Sequence, residues 1–153
     1  MEYTLRPART NDLETVLPWV PTPELLRLWG GPALPFPPRA DQLWREIGAT
    51  DQNAFSLVDV QGNVVGFGQA LFRSPATVHL GRIIVSPSQR GKGLGRILCQ
   101  QLIGEGSARH HPTMFTLNVY RNNLPAYNLY LSLGFVVLSE DAEQDSFHMG
   151  LMS

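Results

Sequence analysis

The sequence predicts a single α/β domain over residues 1–153, in which strands and helices share a layered core. The length is that of one domain, and the apolar fraction of 43% is enough to form one hydrophobic core. The charged fraction of 16% is too low for a disordered chain. The spacing of apolar residues also changes along the chain between helical and strand-like periods, which is typical of a mixed α/β fold.

The first fifty residues predict one short strand followed by helices. Pro7 ends the strand, and either Asn11 or Asp12 is suited to cap the helix that follows. A proline-rich stretch at residues 18–38 comes next and includes Trp29 and Phe36. We predict a strand at residues 3–6, a helix after residue 12, and helices at residues 24–29 and 41–47.

The remainder of the chain predicts strands interrupted by two helices. Gln61-Gly62-Asn63 is typical of a hairpin turn between two strands. Asn123 caps a late helix that tolerates Pro125 in its first turn, and Gly134 ends this helix with a left-handed residue. We predict strands at residues 54–60, 64–72, 77–85, 113–119, 135–138 and 146–151, with helices after residues 93 and 123.

Composition and charge exclude several classes of function. The net charge of -1 gives no reason to expect nucleic-acid binding. Cys99 is the only cysteine, so neither an internal disulfide nor a cysteine cluster for a metal is possible. The N-terminus lacks the apolar stretch of a signal peptide, and no apolar run approaches the roughly 20 residues that span a bilayer. We therefore expect a cytoplasmic protein without a metal and without a membrane partner.

A glycine-rich turn follows the strand at residues 77–85 and begins a helix. A helix N-terminus has unpaired N–H groups and partial positive charge, and glycines let the backbone approach a ligand closely. From residue 60 to residue 104 there is no acidic residue but there are five basic ones. The turn therefore predicts a site for a pyrophosphate, although an ordinary solvated turn remains the alternative. It consists of Gln89, Arg90, Gly91, Lys92, Gly93, Leu94 and Gly95.

Two other phosphate-binding motifs fit this turn poorly. A nucleotide P-loop needs Ser or Thr after its lysine, whereas Lys92 is followed by Gly93. A dinucleotide-binding unit has its glycine turn after the first strand and an acid about 20 residues later. This turn follows several strands, and residues 106–119 include no acid.

A second motif lies about thirty residues after the turn. It reads Asn-Leu-Pro-Ala-Tyr-Asn-Leu-Tyr-Leu-Ser-Leu-Gly-Phe from residue 123 to residue 135. Together with the glycine turn and the strand residues Ile83-Ile84-Val85, it resembles the GNAT superfamily of N-acetyltransferases. The opening Leu-Arg-Pro-Ala at residues 5–8 extends the resemblance over nearly the whole chain. The resemblance implies a GNAT-like domain with a central mixed, mostly antiparallel sheet and about four flanking helices.

The resemblance also implies a role for each matched residue. Ile83, Ile84 and Val85 would border the pantetheine arm of acetyl-coenzyme A, with backbone hydrogen bonds like those of an added strand. Gln89 to Gly95, together with Arg96, would hold the pyrophosphate, and Asn123 would contact the coenzyme. Tyr130 would bind the coenzyme sulfur and act as the general acid. Purely structural roles remain open for these residues: core packing for Ile83, Val85 and Tyr130, and helix capping for Asn123.

The acceptor side of the reaction is less well specified by the sequence. An alkylammonium must lose a proton before it attacks, and some GNAT relatives use a glutamate at the position of Asn118. Asn118 takes up no proton, so His79 is the titratable candidate on the strand before the turn, with ordered water as the alternative. Trp29 and Phe36 are candidates to line the acceptor pocket, or else belong to a lid that packs on the core.

The sequence thus predicts an enzyme that transfers an acetyl group from acetyl-coenzyme A directly to an amine in a ternary complex. The acceptor is a primary amine of a small molecule, or else an amine of a protein or peptide. The alternative is a non-catalytic, regulatory module that binds coenzyme A. We expect a monomer or homodimer.

Overall fold

The computed structural model describes residues 2–73 and 75–153. The described residues form seven strands and five α-helices, and the strands join one sheet in the order β1-β2-β3-β4-β5-β7-β6. The strands are β1 (Thr4–Pro7), β2 (Ala54–Val58), β3 (Val64–Arg73), β4 (Thr77–Val85), β5 (Met114–Tyr120), β6 (Val136–Asp141) and β7 (Ser146–Met152). The helices are α1 (Asp12–Val16), α2 (Pro23–Gly30), α3 (Ala40–Glu46), α4 (Leu94–His110) and α5 (Leu124–Ser132).

The sheet is mixed, as expected. Strand β4 pairs with β5 in parallel, whereas the pairs β1–β2, β2–β3, β5–β7 and β6–β7 are antiparallel. The five helices among the described residues agree with the expected sheet flanked by about four helices. The proline-rich stretch contains α2, because Thr22 accepts a hydrogen bond of 3.1 Å from the backbone N–H of Leu25 and Pro23 takes the first helical position. Within the described residues, no helix is both long enough and apolar enough to span a membrane.

The contacts within the chain divide it into two compact units, one made of residues up to 69 with 82–99 and the other of residues 70–81 with 100–153. In the first unit, helices α1 to α3 supply Leu13, Val16, Leu26 and Leu43 to the core. These side chains cluster with residues of β2 to β4. The strand residues of the cluster are Ala54, Phe67 and Ile84.

Asp12, one of the two residues suited by sequence to cap α1, forms an ion pair and hydrogen bonds instead. It is the first residue of α1, and Asn11 occupies the cap position without a side-chain capping bond. The Asp12 carboxylate is buried, pairs with Arg6 at 2.8 Å and accepts hydrogen bonds from the backbone N–H of Arg9 and the hydroxyl of Ser56. Burial alone raises the pKa of Asp12, but these hydrogen bonds outweigh it and hold the pKa below its ordinary value.

In the second unit, the sheet presents an apolar face and a polar face. Val78, Phe115 and Met149 are buried. Gly106 of α4 packs closely against this apolar face: a Cβ atom added there would lie 2.8 Å from the Phe115 ring and 3.1 Å from Val78. The side chains of the alternate strand positions point to the opposite face of the sheet.

Candidate functional site

The glycine-rich turn connects β4 to α4 through a single-turn 3-10 helix, Pro87–Gln89. Gly91 and Gly93 have φ values of 83° and 77°, in the left-handed region that favours glycine. A Cβ atom added to either glycine would meet nothing within 4 Å, so open space borders this backbone. Helix α4 begins at Leu94 and continues for 17 residues, which gives its N-terminus a full helix dipole.

The charge around the turn suits a pyrophosphate. Arg90, Lys92 and Arg96 are exposed, and the first turn of α4 has no acidic residue. The Lys92 ammonium donates a hydrogen bond of 3.1 Å to the side-chain oxygen of Gln89, which places both side chains beside the glycines. The site thus combines two left-handed glycines, a helix N-terminus and three cationic side chains. These features together suit the binding of a diphosphate.

Strand β4 combines a paired beginning with an irregular end. Its pairing with β5 joins residues 77–79 to 114–116, and the strand then continues to Val85. Arg82 interrupts the strand with a φ of 48°. Ile84 is buried, and Ile83 and Val85 are half-buried. Val78, Leu80 and Ile84 are buried whereas His79, Ile83 and Val85 are half-buried, so burial alternates on both sides of Arg82.

Arg82 is also the centre of a hydrogen-bonded network that the sequence did not reveal. The Trp29 indole N–H donates to the Arg82 carbonyl oxygen at 2.8 Å, and the Arg82 Nε donates to the carbonyl oxygen of Gly30 at 3.1 Å. The Arg82 guanidinium also donates to the side-chain oxygen of the fully buried Gln69 at 2.9 Å. Gln69 in turn donates to the carbonyl oxygen of Ile47 at 3.2 Å. The sequence signal for this network was the polar Gln69 within the largely apolar strand β3.

The two aromatic residues proposed for the acceptor side differ in their surroundings. Trp29 is half-buried and packs edge-on against Phe67, with ring centroids 6.0 Å apart. Phe36 lies in the loop after α2 and is 44% exposed. Trp29 therefore has a structural role in addition to any contact with a ligand, and Phe36 has a ring face open to solvent.

Four polar side chains meet on the polar face of the second unit. The strand register pairs His79 with Thr116 and Asn118 with His148. The Nδ1 atom of His79 lies 2.8 Å from the Thr116 hydroxyl, and the Nδ1 atom of His148 lies 2.8 Å from the Asn118 side-chain oxygen. The two imidazole rings are nearly parallel, at 14°, with centroids 6.3 Å apart. The sequence analysis did not identify His148 as a candidate site residue. Its place between the apolar residues Phe147 and Met149 was the available sequence signal, because it puts His148 on the opposite face of the strand.

The late motif folds as the sequence predicted. The Asn123 side-chain oxygen caps α5 by accepting a 3.4 Å hydrogen bond from the backbone N–H of Ala126. Gly134 has a φ of 103° and follows the helix as its left-handed cap. Tyr130 is buried, and its ring packs edge-on against Phe135 at 6.0 Å. The motif therefore holds the Tyr130 ring in a fixed position.

Two other kinds of site find little support in the described part of the chain. Cys99 is fully buried, and this burial raises the pKa of its thiol to about 12, with a smaller opposite effect from Arg96. A protonated, enclosed thiol is a poor nucleophile. Residues 2–73 and 75–153 contain no group of three or more potential metal ligands.

Comparisons with known proteins agree with this geometry. The sequence model of the acetyltransferase (GNAT) family matches residues 20–135. An N-acetyltransferase 9-like protein from Nematostella vectensis is 27% identical, over an alignment that covers 91% of this chain and 77% of that protein. A spermidine N-acetyltransferase from Vibrio cholerae in complex with CoA and spermine has a TM-score of 0.80 at 21% identity, covering 98% of this chain and 95% of that one. A dodecameric structure of spermidine N-acetyltransferase from the same organism has a TM-score of 0.75 at 22% identity, covering 98% and 93%.

Proposed function

The chain belongs to the acetyltransferase (GNAT) family, and from that premise we propose that its acceptor is a primary amine of a small molecule. The chain is an acyl-CoA-dependent N-acyltransferase, and acetyl-coenzyme A is its acetyl donor. The donor supplies an activated thioester. An amine of a peptide or protein is the second candidate acceptor.

The glycine turn is the observation that carries the proposal on the donor side. Gly91 and Gly93 are left-handed with open space beside them, and α4 begins directly after Gly93. In the proposal, the backbone of residues 89–95 binds the pyrophosphate. The side chains of Arg90, Lys92 and Arg96 neutralise its charge.

The end of β4 and the start of α5 have the supporting roles in donor binding. The backbone of Ile83 and Val85 binds the pantetheine arm as an added strand, with Ile84 in the core behind it. Support comes from the register, since β4 continues past the last residue that pairs with β5. Asn123 contacts the coenzyme with its side-chain NH₂ group, while its side-chain oxygen caps α5.

Tyr130 is the proposed general acid. The side chain belongs to the family motif, and packing against Phe135 restricts its ring. A hydroxyl held in place gives a proton to the departing sulfur without a further cost in side-chain entropy. Transfer is direct, from donor to amine, because the single cysteine is buried with a raised pKa of about 12 and does not serve as an acyl carrier.

The acceptor pocket is proposed to include Trp29 and Phe36. The hydrogen bond to Arg82 holds Trp29 in place, whereas the ring of Phe36 is exposed. Trp29 would form a rigid side of the pocket, and Phe36 would be accessible to a ligand from solvent. The Vibrio cholerae structures are spermidine N-acetyltransferases. Polyamines are therefore the first acceptors to test, followed by simple monoamines and then by peptides with a free N-terminus.

We further propose that the chain works in the cytoplasm as a monomer or homodimer, without nucleic acid. The net charge of -1 supports the last point, since nucleic-acid binders have a marked basic excess. One of the similar Vibrio cholerae structures is dodecameric. The molar mass of the purified protein, measured by light scattering, tests this. A mass of twelve copies would contradict the proposal.

Release of free coenzyme A from acetyl-coenzyme A over a panel of amines tests the function. We expect turnover with at least one primary amine and a product heavier by one acetyl group. Tyr130→Phe should lower kcat by about 100-fold while coenzyme binding stays within about twofold. Tyr127→Phe is the matched control, because Tyr127 lies on the same helix but packs against Phe147. Tight coenzyme binding without turnover on the whole panel would contradict the proposal.

A further inference from the structure

We propose that His148, oriented by Asn118, is the general base that removes the proton from the acceptor ammonium. This inference rests on the proposed function, since it assigns a role within the same reaction. Asn118 occupies the position where the resemblance to GNAT enzymes led us to expect a glutamate in some relatives. The structure places an imidazole directly across the sheet from that amide.

The hydrogen bond to Asn118 fixes the tautomer of His148. An amide oxygen only accepts hydrogen bonds, so the Nδ1 atom of His148, 2.8 Å away, must carry the hydrogen. In the neutral ring, the lone pair then lies on Nε2, and Nε2 is the atom that can accept a proton. Asn118 thus does for His148 what an orienting partner does for the histidine of a catalytic triad.

His79 has a different kind of polar partner from His148. The Nδ1 atom of His79 contacts the Thr116 hydroxyl at 2.8 Å, and a hydroxyl both donates and accepts, so this contact does not select a tautomer. Thr116 is also buried. The His79 ring stacks with the His148 ring at a centroid distance of 6.3 Å, so the two imidazoles are neighbours on the polar face.

The charged groups next to His148 along β6 and β7 pair with one another. On β6, Ser139 lies opposite His148, and the next residue, Glu140, pairs with Arg121. Arg121 also pairs with Asp145 and lies over the Phe147 ring at 4.5 Å. Those two carboxylates are thus already engaged by a cation. His79, whose ring stacks with that of His148, is a titratable group beside it.

The proton balance of the step is simple. One N–H bond of the acceptor ammonium breaks and a new bond to hydrogen forms at Nε2 of His148, which becomes an imidazolium. The amine nitrogen keeps the electron pair that forms the amide bond. The imidazolium later returns its proton to water, so no further reactant is needed.

Steady-state kinetics of His148→Ala provide the test, with an accepted primary amine and its β,β,β-trifluorinated analogue. Three fluorines bring the pKa of the ammonium below neutral pH, so this amine is largely uncharged at the assay pH and needs no proton removed. We expect kcat/KM to fall about 100-fold with the parent amine and much less with the fluorinated one. Added imidazole should restore part of the lost activity. His111→Ala, an exposed histidine in the loop before β5, is the control.

A second readout needs neither coenzyme nor amine. Long-range nitrogen–proton NMR correlations of the free protein should show His148 with its hydrogen on Nδ1, and Asn118→Leu should abolish that preference. Asn118→Asp keeps the acceptor and should keep the tautomer.

Three outcomes would overturn the proposal. If kcat/KM of His148→Ala falls equally with both amines, His148 has a structural role. If kcat/KM does not change, His148 takes no part in the reaction. A selective loss in His79→Ala instead would make His79 the base. Failure of the unaltered protein to acetylate any amine would overturn the proposed function itself, which is a different result from turnover that ignores His148.

Discussion

The indole nitrogen of Trp29 donates a hydrogen bond of 2.8 Å to the backbone carbonyl oxygen of Arg82. It joins the last turn of α2 to a left-handed residue of β4. A left-handed arginine in a strand is unfavourable by about 1–2 kcal/mol and persists only where its surroundings hold it. The Trp29 indole, together with the acceptors for the Arg82 side chain on Gly30 and Gln69, provides that support.

Replacing Trp29 with phenylalanine tests this relationship. Trp29→Phe keeps an aromatic ring against Phe67 but removes the N–H donor, so the Arg82 carbonyl loses its partner. We expect the free energy of unfolding to fall by about 1–3 kcal/mol, measured by urea denaturation. Trp44→Phe is the matched control, since Trp44 packs against the same core. Equal losses in the two variants would assign the effect to packing alone.

The Arg6–Asp12 pair predicts a specific dependence of stability on pH. Asp12→Asn should lower the free energy of unfolding by roughly 2–4 kcal/mol at pH 7, because Arg6 keeps its charge without a carboxylate beside it. The pKa of Asp12 is lowered in the folded protein. The stabilisation is therefore present above the ordinary pKa of about 3.9 and is lost as the pH falls through the folded value.

Urea denaturation at several pH values checks this sign. The gap between the unaltered protein and Asp12→Asn should be widest near neutral pH and should narrow below about pH 4. Asp51→Asn, at an exposed turn, serves as the control and should leave the curve of stability against pH nearly unchanged. A gap that widens in acid would contradict the assignment.

Helix α4 contains two glycines that should respond oppositely to alanine. Gly106→Ala should destabilise the protein by about 1–3 kcal/mol, because the new Cβ would lie 2.8 Å from the Phe115 ring. Gly104→Ala should stabilise it by about 0.5–1 kcal/mol, because a Cβ there meets nothing within 4 Å and alanine favours the helix. Thermal unfolding of the two variants gives the comparison. Shifts of the same sign would mean that α4 does not approach the sheet as described.

The turn glycines should matter for coenzyme A more than for stability. Gly93→Ala forces a left-handed residue to carry a side chain, so the turn should move away from the geometry that presents its N–H groups. We expect the dissociation constant for coenzyme A, measured by calorimetry, to rise about tenfold or more. Gly62→Ala imposes the same kind of strain in the β2–β3 hairpin, where φ is 84°. This control should lose stability without losing affinity.

Elements with strong local signals were predicted well from the sequence. Strand β4 has the bounds that were predicted, because Val78, Leu80 and Ile84 follow a strand-like spacing and Ser86-Pro87 ends it. The cap at Asn123 and the left-handed Gly134 were also confirmed. In each case the determining interactions lie within a few residues along the chain.

Features that depend on distant contacts were not predictable in this way. The pairing of His148 with Asn118 follows from the β5–β7 register, which joins residues thirty positions apart. Asp12 was expected as a possible cap, but its main partners are Arg6 and the distant Ser56. The backbone of Arg82 is held by Trp29, fifty-three residues earlier. Periodicity alone contains none of these relationships.

The state of Cys99 makes the enzyme convenient to assay. Its thiol is enclosed in the core and remains protonated at neutral pH, with a pKa of about 12. A colorimetric thiol reagent added to the native protein should therefore report only the coenzyme A that is released, with little background from the protein. A cysteine introduced at the surface would be the one reactive thiol on the folded chain, and a fluorophore could be attached there selectively.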